Sequence, residues 1–236
     1  MEKMRINKYL ASLGIGSRRA IDKLADEGRI RVNGVIATAG TKVSNEDTIE
    51  INGKKIKKEV EKKVYYMLNK PLEVLSSVTD DRGRKTVVDL IKCKERIFPI
   101  GRLDYNTTGL IILTNDGELF NRVIHPRSEI YKQYYVKVLG EIKEESVEKL
   151  KTGVKLEDGY TLPALVKVIK SEKGKSELEL CIREGRNRQV RRMMESINCP
   201  VISLKREKIG KLSLGKLKLS EYRKLTDEEI KYLYSL

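Results

Sequence analysis

The sequence predicts an α+β fold in two units: a helix pair with a small sheet, joined to a larger unit on a largely antiparallel mixed β-sheet with flanking helices. Three observations predict it. Apolar residues recur at helical spacing twice within the first 26 residues, and two Asn-Gly dipeptides then separate short alternating segments. Beyond a charge run at 57–63 the pattern changes to strand-length apolar segments interleaved with helical ones. The expected boundaries are 1–60 for the first unit, with a linker at about 57–63, and 64–236 for the second.

In chain order, Ile6, Tyr9, Leu10 and Leu13 mark one short helix, and Gly14 and Gly16 interrupt it. Ser17 is placed to cap a second helix carrying Ala20, Ile21, Leu24 and Ala25. "RIRVNGVIA" and "TIEINGKKI" read as tight hairpins, because Asn33-Gly34 and Asn52-Gly53 both accept positive φ. Lys8, Arg18, Arg19, Arg29 and Arg31 occupy positions the apolar residues leave free, which predicts a basic face suited to phosphate. In the second unit the strand candidates are "VYYMLNKP", "LEVLSSV", "LIILT", "YYVKVLG", "ALVKVIK" and "SELELCI". Helical patterns fall near 116–124, 143–151, 186–197 and 226–234.

Composition narrows the function classes. Forty-nine Lys and Arg against 34 Asp and Glu give a formal charge of +15, spread along the chain, which favours a polyanionic partner such as nucleic acid. Cys93, Cys181 and Cys199 are far apart and form no CxxC pair, so neither a disulfide framework nor a zinc site is expected, and a reducing cytoplasm fits. No apolar run approaches the roughly 18 residues of a membrane span, and no secretory leader is read at the N-terminus. His125 is the only histidine, which removes His-paired catalysis and multi-histidine metal sites. It reads as a turn residue after a helix. Acid, base or nucleophile work then falls to carboxylates, tyrosines or lysines.

The stretch "GRLDYNTTG" begins and ends with glycine, is polar throughout, and feeds the apolar run "LIIL". Loops on rigid strands are where reactive side chains tend to sit. An ionised carboxylate there, Asp104, suits attack on an anomeric carbon, which needs no histidine or metal. "REGRNRQVRRMMESI" spaces Val190, Met193, Met194 and Ile197 on one helix face and leaves Arg188, Arg191 and Arg192 for RNA phosphate. Glu157 and Asp158 in "EDG" read as turn chemistry, and Lys70, Arg82, Arg84 and Lys85 as RNA contacts on charge alone.

"RINKYLASLGIGSRRAIDKLADEGRIRVNGVIATAGTKV" resembles the S4 RNA-binding domain nearly end to end. "GRLDYNTTGL", "TNDGELFNRVIHP" and "REGRNRQVRRM" resemble, in the expected order, the pseudouridine synthases of the RsuA and RluB branch, which act on ribosomal RNA. The resemblance implies the pseudouridine synthase fold and isomerisation of a uridine already in RNA, with no cofactor and no metal. It makes Asp104 the catalytic aspartate, Arg102 the arginine that helps hold the nucleotide out of its stack, and Tyr134 the tyrosine that stacks on the target base. Strand alternation sends Tyr135 to the opposite face. By resemblance Arg186 pairs with the catalytic aspartate and aims it. The expected partner is ribosomal RNA or an assembly intermediate, of the large subunit by "EGRNRQVRRM" and "LEDGYTLPA", though the C-terminal stretch is also similar to small-subunit members. A cytoplasmic monomer is expected. The competing classes are a noncatalytic ribosome-binding protein and a glycoside hydrolase. The first has no need of a carboxylate in a basic site, and the second wants another acid across the bond.

Overall fold

The computed structural model describes residues 3–58, 61–125 and 129–236. The chain divides into two compact units, Met1–Val64 with Cys93–Arg96 and Asn115–Gly117, and Tyr65–Lys92 with Ile97–Thr114 and Glu118–Leu236. Of the charge run expected as a linker, residues 59–60 lie outside the described residues.

In the first unit, strand β1 (Met4–Arg5) leads into helices α1 (Ile6–Ser12) and α2 (Arg18–Asp26). The Ser17 hydroxyl accepts from the Ala20 amide at 3.1 Å, the expected cap. Strands β2 (Ile30–Val32), β3 (Val35–Ile36), β4 (Lys42–Val43), β5 (Ile49–Ile51) and β6 (Lys54–Lys55) follow. The order β3-β2-β5-β6 forms one antiparallel sheet, and β1 pairs with β4. Both Asn-Gly turns take the left-handed conformation the hairpins require, φ 51° and 84° at Asn33-Gly34 and 53° and 74° at Asn52-Gly53. Ile6, Leu10, Ile21, Ile30, Val43 and Ile49 close the core of this unit. Helix face and sheet face thus bury each other, at about 1.5–3 kcal/mol for each fully buried aliphatic side chain.

Among the described residues, the sheet of the second unit has nine strands: β7 (Tyr65–Lys70), β8 (Phe98–Ile100), β9 (Thr108–Thr114), β10 (Lys132–Leu139), β13 (Leu165–Glu172), β14 (Lys175–Ile182), β15 (Val201–Ile209), β16 (Leu212–Ser213) and β17 (Tyr222–Lys224). Their order is β13-β14-β10-β15-β9-β7-β17, with β16 on β15 and β8 on β9. The ladders are antiparallel except where β15 meets β9 in parallel, Lys205 beside Thr108 and Arg206 beside Gly109. A small hairpin, β11 (Lys155–Leu156) and β12 (Gly159–Tyr160), turns at Glu157 and Asp158 as expected. Helices α3 (Gly117–Ile124), α4 (Glu144–Thr152), α5 (Gln189–Ser196) and α6 (Asp227–Tyr234) match the four helical patterns. Central β9 is buried along almost its whole length, whereas β14, nearer the edge, alternates between buried and half-exposed positions, as a one-sided strand does.

Two expectations change. "LEVLSSV" forms no strand: Glu73 has φ 59°, Leu72 is exposed, and Leu75 makes only an isolated bridge to Thr86. Its backbone instead wraps the loop that precedes β9. Strand β15, absent from the expected set, runs through the centre of the sheet. Gly109 is obligatory at its junction with β9. It has φ 113°, and a Cβ there would lie 2.2 Å from the carbonyl oxygen of Arg206.

Candidate active site

A cleft of about 610 Å³ opens beside the loop that precedes β9, with Arg102, Asp104, Lys132, Tyr134, Glu184, Arg186, Arg188 and Arg206 among its lining residues. That volume falls in the range of sites that hold a nucleotide-sized ligand. The loop is fixed at three points. Ser76 accepts from the Leu103 amide at 3.0 Å and donates to the Leu103 carbonyl at 2.8 Å. The Glu73 amide donates to the Tyr105 carbonyl at 3.0 Å. Arg191, reaching in from α5, donates to the Asn106 carbonyl at 2.6 Å. The segment misread as a strand is therefore the clamp of the loop, and Ser76 is a site residue with no signal in the sequence pattern.

Asp104 presents a side chain 29% exposed, with the Arg191 Nε 4.0 Å from its Oδ2. Among the described residues its carboxylate accepts no hydrogen bond. The other acids of the cleft are committed: Glu129 to Arg183 at 3.1 Å, and Glu184 to the Leu162 amide at 2.9 Å and Arg186 at 3.0 Å. Asp104 is thus the cleft carboxylate with oxygens to spend.

The expected pair between Arg186 and Asp104 is not formed. Arg186 lies in the loop before α5, where its guanidinium is exhausted on Glu184 (3.0 Å), the carbonyls of Asp158 (3.3 Å), Gly159 (3.2 Å) and Tyr160 (2.6 Å), and the Asp158 carboxylate (3.4 Å). It ties the β11–β12 hairpin to the cleft wall. The cation facing Asp104 is Arg191, which the sequence assigned to the RNA face. Its side chain is only 11% exposed, and burial, followed by the charge of Arg188, lowers its affinity for the proton, while Asp104 opposes the shift. Arg192 is bound bidentately to Asp158 at 2.9 and 2.9 Å, so its fork is taken as well. Of the arginines around this helix, Arg188 remains exposed, at the rim of the cleft with exposed Arg102.

Tyr134 is 8% exposed and lines the cleft. Tyr135 points to the opposite face of the sheet, where its hydroxyl donates to Glu177 and its pKa is pushed up to about 12, chiefly by that bond. Lys70 cannot be an RNA contact. It is 0% exposed, its ammonium donates to the Pro71 carbonyl at 2.9 Å, and burial pulls its pKa down to about 8 against the opposing pull of Asp104. Arg84 is spent on Asp80 at 2.7 Å. His125 follows α3 as expected and borders the cleft; Pro126 and the two residues after it lie outside the described residues.

In the first unit, Lys8, Arg18, Arg19, Arg29 and Arg31 are all exposed. Arg29 is held by Asn52 at 2.7 Å and Glu27 at 2.8 Å, and Arg31 by the Gly34 carbonyl at 2.9 Å. Among the described residues, Lys8, Arg18 and Arg19 form no hydrogen bond or ion pair through their side chains.

The chain is similar to known proteins along most of its length. A family profile described as RNA pseudouridylate synthase matches residues 64–196, and the S4 domain profile matches residues 4–49. The chain is 47% identical to the Bacillus subtilis (strain 168) protein named ribosomal large subunit pseudouridine synthase B, covering 98% of this chain and 96% of that one. It is 38% identical to the dual-specificity RNA pseudouridine synthase RluF of Escherichia coli (strain K12), covering 99% and 79%. A solved structure described as a pseudouridylate synthase superposes with a TM-score of 0.72 at 30% identity, covering 98% of this chain and 99% of that one.

Proposed function

Since this chain belongs to the RNA pseudouridylate synthase family, with an S4 domain ahead of the catalytic one, we propose that it converts one uridine of large-subunit ribosomal RNA to pseudouridine, with Asp104 as the nucleophile. The observation that carries the reading is Asp104 itself, a carboxylate left unbonded in a basic cleft, faced by Arg191 and bordered by the ring of Tyr134. A target base extruded from its stack enters the cleft beside Tyr134. The C1′–N1 bond breaks with its electron pair going to N1, and an Asp104 oxygen takes C1′. The uracil turns, C5 attacks C1′ and displaces the carboxylate, the C5 proton is lost to solvent, and N1 gains one. Every atom and electron is conserved, so the chemistry calls for no redox partner. The committed state of Glu129 and Glu184 disfavours a hydrolase, which needs a second free acid.

The large subunit is favoured because the Bacillus subtilis relative carries that name, and the basic composition suits rRNA. Rim residues Arg102 and Arg188 meet the backbone of the extruded nucleotide, and the S4 unit docks the RNA through Lys8, Arg18, Arg19, Arg29 and Arg31. The working compartment is the cytoplasm, with the enzyme as a monomer. Mapping pseudouridines in rRNA from cells with and without the protein tests the assignment. Loss of one large-subunit site is expected, and loss confined to the small subunit overturns the choice.

Two further outcomes are expected. Tyr134→Phe keeps RNA binding but slows turnover, and Tyr134→Ala loses both, because stacking needs the ring and proton movement the hydroxyl. Tyr135→Phe, which removes a bond to Glu177 on the far face, changes stability by about 1 kcal/mol and leaves turnover within twofold. Single-turnover kinetics with binding titrations separate these, and an inactive Tyr135→Phe beside an active Tyr134→Phe reverses the assignment. Changing Lys8, Arg18 or Arg19 to Ala is expected to lower the salt slope of RNA binding by roughly one per residue without changing which uridine reacts. Titrations from low to high salt check this; three unchanged slopes remove those residues from the interface.

A further inference from the structure

The floor of the cleft holds two cations that the reaction as described leaves idle. Lys132 and Tyr134, two apart on β10, share a face, and Tyr134 stands opposite Arg206 on β15. All three line the cleft with Asp104. Arg206 is 3% exposed and spends its Nε on the Leu110 carbonyl at 2.8 Å, while its Nη2 is buried without a hydrogen-bond partner. Among the described residues the Lys132 ammonium has no bonded partner. Its pKa is lowered by burial first and by the charge of Arg206 second, against the pull of Glu184. The nearby carboxylate of Glu184 is already committed to Arg186 and the Leu162 amide.

A buried guanidinium with an unspent donor beside a second cation is costly unless a ligand supplies the acceptor. Depth selects the ligand. Arg102 and Arg188 are exposed, as suits contact with the phosphates of an RNA strand, whereas Arg206 is buried and Lys132 half-buried, at a depth in the cleft that suits an inserted base. We propose that Lys132 and Arg206 form an anion subsite that receives the uracil oxygens and stabilises the negative charge the base acquires as its bond to C1′ breaks. The electron pair left on N1 spreads onto O2 and O4, and preorganised donors aimed at developing charge act more strongly in the transition state than in the ground state. The subsite rests on the uridine isomerase reading of the cleft.

The test compares two RNA substrates carrying uridine or 5-fluorouridine at the target position. The fluorinated base is the stronger acid and leaves as the weaker base, so it depends less on the subsite. Loss of the intact target nucleoside is followed under single-turnover conditions by nuclease digestion and mass spectrometry, alongside RNA binding and thermal unfolding. For Lys132→Met and Arg206→Lys the expected result is a rate about tenfold or more below wild type on uridine, RNA affinity within about twofold, and a defect at least about threefold smaller on 5-fluorouridine. Lys132 has no bond to lose, so Lys132→Met decides the matter if Arg206→Lys does not fold. Equal defects on both substrates overturn the subsite. So does weakened RNA affinity with a reduced salt slope and an unchanged saturated rate, the mark of a phosphate contact. A wild-type enzyme inert towards both RNAs signals failure of the isomerase reading instead, a result distinct from either.

Discussion

Asp104→Asn is expected to reduce isomerisation at least about a thousandfold, or about 4 kcal/mol of barrier, while RNA affinity changes by less than about threefold. The amide keeps the shape of the carboxylate, so the loop clamped by Ser76 and Arg191 stays in place. What it loses is the charged oxygen that, on the proposed mechanism, forms the bond to C1′. Other acids of the cleft are poorly placed to substitute, because Glu184 accepts hydrogen bonds from Arg186 and the Leu162 amide and Glu129 from Arg183, whereas the Asp104 carboxylate accepts none among the described residues. Tritium release from 5-tritiated uridine in rRNA measures the effect directly. Turnover within tenfold of wild type would remove Asp104 from the nucleophile's role.

Arg191→Met is expected to lower turnover by about a hundredfold, or about 2.7 kcal/mol, and to destabilise the fold. Two losses combine. The carboxylate of Asp104 forfeits the cation 4.0 Å from its Oδ2, and the Asn106 carbonyl forfeits its 2.6 Å donor, so the loop that carries the proposed nucleophile loosens. A misplacement of even 1 Å at a reacting centre is enough to cost this much. Arg191→Lys restores the charge but not the fork and is expected to recover only part of the rate. Arg186→Met supplies the contrast. Its contacts run to Glu184, Asp158 and the β11–β12 backbone, so the rate should fall by less than about tenfold while the hairpin becomes labile to proteolysis. A larger rate loss at Arg186 than at Arg191 would reinstate the original pairing.

The contrast between these two arginines also marks where the sequence stops being readable. Apolar periodicity located α5 and its buried face correctly, since Val190, Met193 and Met194 are in the core. The same rule sends every charged residue outward. Arg191 lies about 60° from Met194 around the helix, at the edge of the apolar stripe, and tertiary partners pull it inside. A partner in a distant loop leaves no mark on local spacing. Strand β15 escaped notice for a related reason: "VISLKREKI" places Lys205, Arg206 and Lys208 in what is a central strand, and Arg206 is tolerated there because the Leu110 carbonyl takes its Nε. "LEVLSSV" erred the other way, with strand-like composition on a backbone that must bend at Glu73 to clamp the loop. Where local signals suffice, as in the Asn-Gly hairpins and the Ser17 cap, sequence and structure agree.

The parallel seam between β9 and β15 also sets an order in time. It pairs residues 97 positions apart in the chain, Lys205 with Thr108 and Arg206 with Gly109, and the cleft needs both sides of it, Asp104 from the loop before β9 and Arg206 from β15. Pairings of such high contact order form slowly, after the intervening chain has condensed. During synthesis the cleft cannot exist until residue 209 has left the ribosome. Among the described residues, the hydrophobic core of the S4 unit, by contrast, draws on none beyond Ile56. On the proposed function, each growing chain therefore completes the core of its RNA-docking unit well before it completes the cleft that changes RNA.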